Sequence, residues 1–326
     1  AHKQVEYAKE KGIEFIICDH HNPDKNLPKA LAILNPKRKD CAYPFKELCG
    51  CGVGFKLVQA VESKQSKNNQ IINYLDLVAL AIAADVVPLT GENRVLSFIG
   101  LQIINSNPRP GVHSLLKKNV KKEYTISDLM YYVGPRINAA GRMKHASLAL
   151  ELLICNDINS VEKLALEIED LNTSRRDIEK DITSQAIEQV DNSSEKLNSI
   201  VVFDSDWNKG VIGIVASRLV DKYYKPSIVL CESSKGVLTA SARSIKGLDL
   251  YSVLNQCKGF IDQFGGHKYA AGLTIKKENL EGFKKHFENI VSQIIDKHIF
   301  EQELLIESKI NLNEITPKFF RILKQF

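Results

Sequence analysis

No run of about 20 apolar residues, the length a membrane-spanning helix needs, occurs in the chain, and its longest apolar stretches are broken by Asp85 or by glycine. The sequence therefore reads as that of a soluble protein. No secretory signal is visible, although the chain opens at Ala1 in what reads as mid-domain. Cysteine occurs seven times, an odd number scattered over 326 residues. That excludes a paired disulfide framework and fits a reducing cytoplasm. Cys41, Cys49 and Cys51 lie near one another but lack Cys-x-x-Cys spacing and a nearby fourth ligand, so no zinc site is expected there. Internal repeats and low-complexity segments are also missing. What is present is ordinary globular material, 44% hydrophobic and 25% charged, long enough for more than one core. The net charge of +5 permits a polyanionic partner without demanding one.

The patterning predicts two α/β regions. A helix over Gln4–Lys11, ended by Gly12, leads to the apolar run Ile13–Cys18, which reads as a buried strand, and a second strand is expected at Ala30–Leu34. Helices are expected over Gly50–Val61, Tyr74–Ala84, Glu92–Asn105, Ile126–Val133 and Ser147–Ile154. Gly134–Arg142 reads as an interruption, with two glycines and a proline around two arginines. Between Ser160 and Val190, apolar residues recur at helical spacing with no glycine or proline, the pattern of one long connecting helix. Beyond it, strands are expected at Ser199–Phe203, Ser227–Cys231, Gly236–Ala242 and Leu273–Ile275, and helices at Gly210–Tyr224, Leu250–Phe264 and Asn279–His298. Gly265–Gly272 reads as a glycine-rich turn, and Glu303–Phe326 as strand-like and then helical.

Four groups of residues can carry chemistry. Asp19, His20 and His21 follow a buried-strand pattern, where open α/β sheets place ligand sites. Imidazole and carboxylate both bind Mn²⁺ and Zn²⁺, but the triplet also reads as a solvated turn or a helix cap. Asp85 ends a largely apolar helix, as a metal ligand or as a helix-end cap. Arg136, Asn138 and Arg142 sit among small residues that let a backbone approach a ligand, and paired guanidiniums suit phosphate; the alternative is a surface loop with solvated arginines. In the second region, Gly210 and Gly213 open a helix whose N–H groups favour anions. Ser241 and Arg243 lie at a strand end, and Gly265, Gly266 and His267 form a glycine nest with an imidazole. Each is weak alone; together they favour a nucleotide pocket.

Taken in order, these segments resemble the DHH phosphoesterases. Asp19-His20-His21 resembles the signature for which that family is named. Ala84–Leu89 resembles its later aspartate motif, and Gly134–Arg142 a block of its single-strand exonuclease branch. Lys209–Arg218, Ser241–Arg243 and Gly265–His267 resemble the DHH-associated domain. The resemblance implies an α/β fold of two α/β domains joined by a long helix, with the start of a truncated oligonucleotide-binding barrel at the end. The expected limits are 1–158 for the DHH domain, 159–192 for the helix, 193–300 for the DHH-associated domain and 301–326 for the barrel.

It also implies a 5′-to-3′ exonuclease on single-stranded DNA that releases mononucleotides in recombination and repair, with a pair of Mn²⁺ or Mg²⁺ ions in a cleft between the domains. His20 and Asp85 would be metal ligands, with Asp19 orienting the neighbouring histidine and His21 on the scissile phosphate or leaving group. Arg142 or Arg136 would neutralise phosphate charge. Ser241 and Arg243 would hold the 5′-phosphate, with His267 nearby, and Asn138, Gly210, Gly265 and Gly266 would complete the substrate contacts. The implied setting is a cytoplasmic monomer away from membranes, working on single-stranded DNA beside a single-strand-binding protein and a RecQ-type helicase.

The sequence departs from the family in three ways. The family's upstream aspartates precede the first residue here, so an incomplete metal site and an inactive fragment are expected. The barrel is expected to be cut short. Asn208 stands where the family suggests His. Rival readings are a DHH-family phosphodiesterase for nanoRNA or cyclic dinucleotides, a manganese pyrophosphatase, and a non-catalytic nucleic-acid-binding scaffold.

Overall fold

The computed structural model describes residues 2–23, 26–65, 70–117, 120–193, 197–294 and 303–324. The chain divides into two compact units, 1–177 and 178–326.

In the first unit α1 (His2–Glu10) precedes β1 (Ile16–Cys18), which pairs in parallel with β2 (Ala32–Leu34). Then come α2 (Gly50–Lys64), α3 (Leu75–Asp85), α4 (Gly91–Ser106) and α5 (Pro110–Leu116). A short α6 (Ile126–Asp128) runs through a π-helical turn, Leu129–Val133, into α7 (Gly134–Met143), and α8 (Ser147–Ile154) follows. α3 is the hub, because its apolar residues face two ways. Ala79, Leu80 and Ala83 join a core with Leu129, Val133, Ala140 and Leu152, while Leu75, Val78 and Ile82 join a second with Leu48, Val53 and Phe55.

Two expectations fail here. The run Ile13–Cys18 is not a buried strand: only its last three residues pair, and Ile13 and Ile16 are more than half exposed. Among the described residues β1 has a single partner strand and only slight contact with α2, which leaves its side chains largely in solvent. Gly134–Arg142 is not an interruption but helix. Pro135 falls in the first turn of α7, directly after the π-helical turn, and Gly134 is buried with helical backbone angles beside Ala84.

The long helix, α9, spans Ile158–Asp191, and the two units divide within it. It is no bare connector. Val161 and Ile168 are buried in the first unit's core, Ile182 and Ala186 are buried too, and Gln185 accepts a hydrogen bond from the Trp207 indole at 2.8 Å.

The second unit is a five-stranded sheet in the order β3 (Ile200–Phe203), β4 (Ser227–Ser234), β5 (Val237–Arg243), β7 (Ala270–Lys276), β6 (Gln263–Gly266). β3 and β4 are parallel and the other pairs antiparallel. One face buries Ile228, Leu230, Leu238, Ala240, Leu273 and Ile275 against α11 (Leu250–Gln256) and α12 (Leu280–Ile294). α10 (Ile212–Tyr223) covers the β4–β5 part of the other face, where Val229 and Cys231 are buried.

The helix expected over Leu250–Phe264 stops at Gln256, and its end is strand instead, because Gln263–Gly266 pair with β7. Gly265 and Gly266 are thus strand residues rather than part of a turn. The last residues of the helix expected over Asn279–His298, and Phe326, lie outside the described residues. Residues 303–311 form no strand, no closed barrel is present among the described residues, and α13 (Pro317–Leu323) ends an exposed tail.

Candidate active site

The Asp19–His21 segment leaves the sheet without losing its register, since the Asp19 N–H still donates to the Leu34 carbonyl at 2.9 Å. The Asp19 Oδ1 atom accepts the backbone N–H of His20 at 2.8 Å and of His21 at 3.2 Å, and it pairs with His21 Nδ1 at 2.7 Å. Burial pushes this carboxyl up, but the bonds from His21 and His20 outweigh it and hold it below the usual carboxylate range. Asp19 therefore stays ionised and orients the His21 ring. Buried Asn35 pins the turn from beneath, donating to the His21 carbonyl at 2.8 Å and accepting from the Lys37 N–H at 2.9 Å.

The His20 ring lies beside that of His21, 4.5 Å between centroids, but meets a different carboxylate, with Nε2 at 3.3 Å from Asp85 Oδ2. Gly50, the first residue of α2, walls the imidazole: a Cβ there would lie 3.4 Å from His20 Cδ2. Asp85 is the last residue of α3, and Val86 ends the helix in the left-handed region at φ 54°. A carboxylate at this end cannot cap carbonyls and faces the negative end of the helix dipole. That rules out the cap reading and calls for a cation. One imidazole nitrogen and one carboxylate oxygen 3.3 Å apart fit Mn²⁺ well and Mg²⁺ through the oxygen. Among the described residues no cluster of three or more His, Cys, Asp or Glu encloses an ion, so these two are an open pair rather than a closed cage. A cavity of about 410 Å³ between β2 and α2 has Asn35 in its wall but none of Asp19, His20, His21 and Asp85.

α7 sends its arginines to opposite sides. Arg136 is buried, with Nε at 2.6 Å from Glu169 Oε2 and Nη1 donating to the Tyr132 carbonyl at 2.6 Å. It ties α7 to α9, so the two guanidiniums do not meet as a phosphate clamp. Asn138 and Arg142, one turn apart, share the exposed face.

In the second unit, Ser241 and Arg243 lie on the face of β5 that α10 borders. Arg243 Nη1 donates to Ser241 Oγ at 3.0 Å. Gly213, in the first turn of α10, lies against both: a Cβ there would sit 3.0 Å from Ser241 Oγ and 3.2 Å from Arg243 Nη2. A hydroxyl, a guanidinium and a helix start therefore converge, as an anion site requires. Gly210 contributes less than expected, because its N–H donates to Asn208 Oδ1 at 2.8 Å. The exposed His267 sits just past β6, its N–H donating to the Ala270 carbonyl at 2.7 Å.

Two family signatures fall on these two regions. The DHH family N-terminal domain matches residues 1–82, and the DHHA1 domain matches residues 196–293. The chain carries the N-terminal domain of the DHH family. The single-stranded-DNA-specific exonuclease RecJ of Haemophilus influenzae is 37% identical over 98% of this chain, and RecJ of Bacillus subtilis is 37% identical over 96%. The chain spans 59% and 41% of those two relatives, respectively. The crystal structure of Thermus thermophilus RecJ in complex with Mn²⁺ superposes with a TM-score of 0.87 at 28% identity, covering 99% of this chain and 47% of that one.

In this DHH chain, sequence reasoning missed Asn35, Gly50 and Glu169. Asn35 had a signal, the Asn-Pro after the second strand, which marks a turn but not what the turn supports. Gly50 and Glu169 had none, since each acts on a residue distant in sequence. Asn208 serves here to close the turn before α10.

Proposed function

We propose that the chain is the catalytic part of a metal-dependent exonuclease that removes mononucleotides from the 5′ end of single-stranded DNA. The observation that carries this reading is the convergence of His20 Nε2 and Asp85 Oδ2, 65 positions apart in sequence, to 3.3 Å. Two dissimilar donors brought together by separate elements are suited to a shared cation. RecJ relatives specific for single-stranded DNA, and a RecJ structure with Mn²⁺, support the substrate and the metal.

His20 and Asp85 would hold Mn²⁺ or Mg²⁺, which when bound supplies positive charge and Lewis acidity beside the phosphodiester. Asp19 fixes the His21 ring, so that its imidazole can hold or pass a proton at the scissile phosphate or leaving oxygen. Arg142, on the exposed face of α7, neutralises charge gathering on the phosphate. Ser241, Arg243 and the start of α10 take the terminal 5′-phosphate, with His267 beside them, which sets the direction of digestion. The work fits the cytoplasm, in keeping with seven cysteines that are all free and with no described helix long and apolar enough to cross a membrane. A single-strand-binding protein and a RecQ-type helicase are the partners such work calls for.

The test uses a protein of the relatives' full length that carries this chain, given single-stranded DNA labelled at either end, with Mn²⁺. Stepwise loss of 5′-terminal mononucleotides from single strands, abolished by His20→Ala, is expected. Cleavage confined to dinucleotides or pyrophosphate would move the protein to another branch of the family. Binding without cleavage would make it a scaffold.

A further inference from the structure

Glycine inside a β-strand weakens it, because it loses more backbone freedom on folding than other residues and packs nothing against its neighbours. A strand glycine therefore calls for a reason. Gly266 has one: its φ is 151°, and a Cβ there would collide with the Ala270 carbonyl oxygen and Ala271 Cα. Gly213 has one too, pressed against Ser241 and Arg243 at the start of α10.

Gly272, in the middle of β7, has neither. Its φ is not in the left-handed region, and a Cβ there would find nothing nearer than the Ala240 carbonyl oxygen at 3.9 Å, an ordinary contact. Its neighbours Ala271 and Leu273 point into the core while Gly272 is exposed on the other face, beside the part that α10 covers. In register it lies between Ser241 of β5 and Gly265 of β6. The fold would accept a side chain at 272, and strand propensity would favour a β-branched one.

We propose that Gly272 is a specificity-determining residue of the phosphate-binding face: its missing side chain leaves the room that the 5′-terminal nucleotide of a single strand occupies once its phosphate rests on Ser241 and Arg243. Two strand spacings separate Ser241 from Gly265, about 10 Å, comparable to the span from a 5′-phosphate across the sugar to the base. This rests on the exonuclease reading above and adds to it the place of the terminal sugar and base.

The test compares Gly272→Ala and Gly272→Val with the parent in the full chain. Thermal unfolding is read beside equilibrium binding of a fluorescent, 5′-phosphorylated single-stranded oligodeoxynucleotide in chelator, so that cleavage does not interfere. Expected is a melting temperature unchanged or raised in both variants, with binding weakened about 3-fold by alanine and at least 10-fold by valine. A strand whose 5′-terminal nucleotide lacks its base should lose most of that penalty. A lower melting temperature would make Gly272 a structural glycine and overturn the proposal. So would parent-like binding by Gly272→Val, or an equal penalty for the intact and abasic ends. A parent protein that binds no single strand at all would instead bring down the exonuclease reading itself.

Discussion

Two apolar runs of similar look, Ile13–Cys18 and Ser227–Cys231, end in opposite states. In the first, Ile13 and Ile16 are 59% and 51% exposed; in the second, Ile228, Val229 and Leu230 are fully buried. β4 has strands on both sides and helices on both faces, whereas β1, among the described residues, has one partner strand and only slight contact with α2. An apolar run announces a strand; burial depends on what else arrives. The chemistry divides in the same way. The first unit holds titratable groups that pair with each other, Asp19 with His21 and His20 with Asp85. The second offers a hydroxyl, a guanidinium and glycines, fit to receive an anion rather than to transfer protons.

The contrast in packing should dominate stability. Phe287, fully buried and stacked on Phe283 at 5.8 Å between centroids, should cost about 4 kcal/mol when replaced by alanine. Ile16→Ala should stay within about 0.5 kcal/mol. Chemical denaturation of both variants measures this, and similar losses would break the comparison.

The two arginines of α7 should separate next. Arg136→Ala removes a guanidinium paired with Glu169 at 2.6 Å in a mostly buried site and should cost about 3 kcal/mol. Arg142→Ala should leave stability within about 0.5 kcal/mol but slow nucleotide release about 100-fold. Arg142→Ala with parent-like turnover would remove it from the phosphate.

A smaller effect is expected at the turn before α10. Asn208→Ala removes the acceptor for the Gly210 N–H and should cost about 1 kcal/mol, while Asn208→Asp, which keeps the acceptor, should restore most of it in the same thermal melts.

The smallest effect is acid sensitivity of the first unit. Burial raises the Asp128 carboxyl, but bonds from Lys121 and Thr125 prevail and hold it below the usual range. A depressed folded pKa gives stability that is present above the unfolded value, about 3.9, and is lost as pH falls through the folded value. Asp128→Asn should therefore destabilise at neutral pH and flatten the fall in stability below about pH 4. An equally steep fall in the variant would assign the acid sensitivity to other carboxylates.

Most helices were legible, because α9 carries an unbroken periodic pattern and α3 and α8 are largely apolar runs without breakers. Gly134–Arg142 misled for a physical reason. Proline and glycine are read as breakers wherever they stand, yet here Pro135 occupies the first turn of α7, after a π-helical turn, and Gly134 keeps helical backbone angles. Gln263–Gly266 misled in the opposite way, since two glycines hid a strand whose hydrogen bonds go to a partner further along the chain. Of the site, Asp19, His20, His21 and Asp85 stood out as polar groups at the ends of apolar elements. Their division of labour did not, because which histidine meets which carboxylate depends on side-chain direction.

By itself the sequence determined most of the helices, the two regions, the long helix between the signatures and the types of side chain available for chemistry. Those follow from local periodicity and from residue identity, which act over a few neighbours. Only the tertiary structure decided that His20 meets Asp85 while His21 meets Asp19, that Arg136 is buried and Arg142 exposed, and that Gly272 lies beside Ser241 on an open face. Each of these depends on contacts between elements far apart in the chain, where packing and register, rather than local preference, set the direction of a side chain.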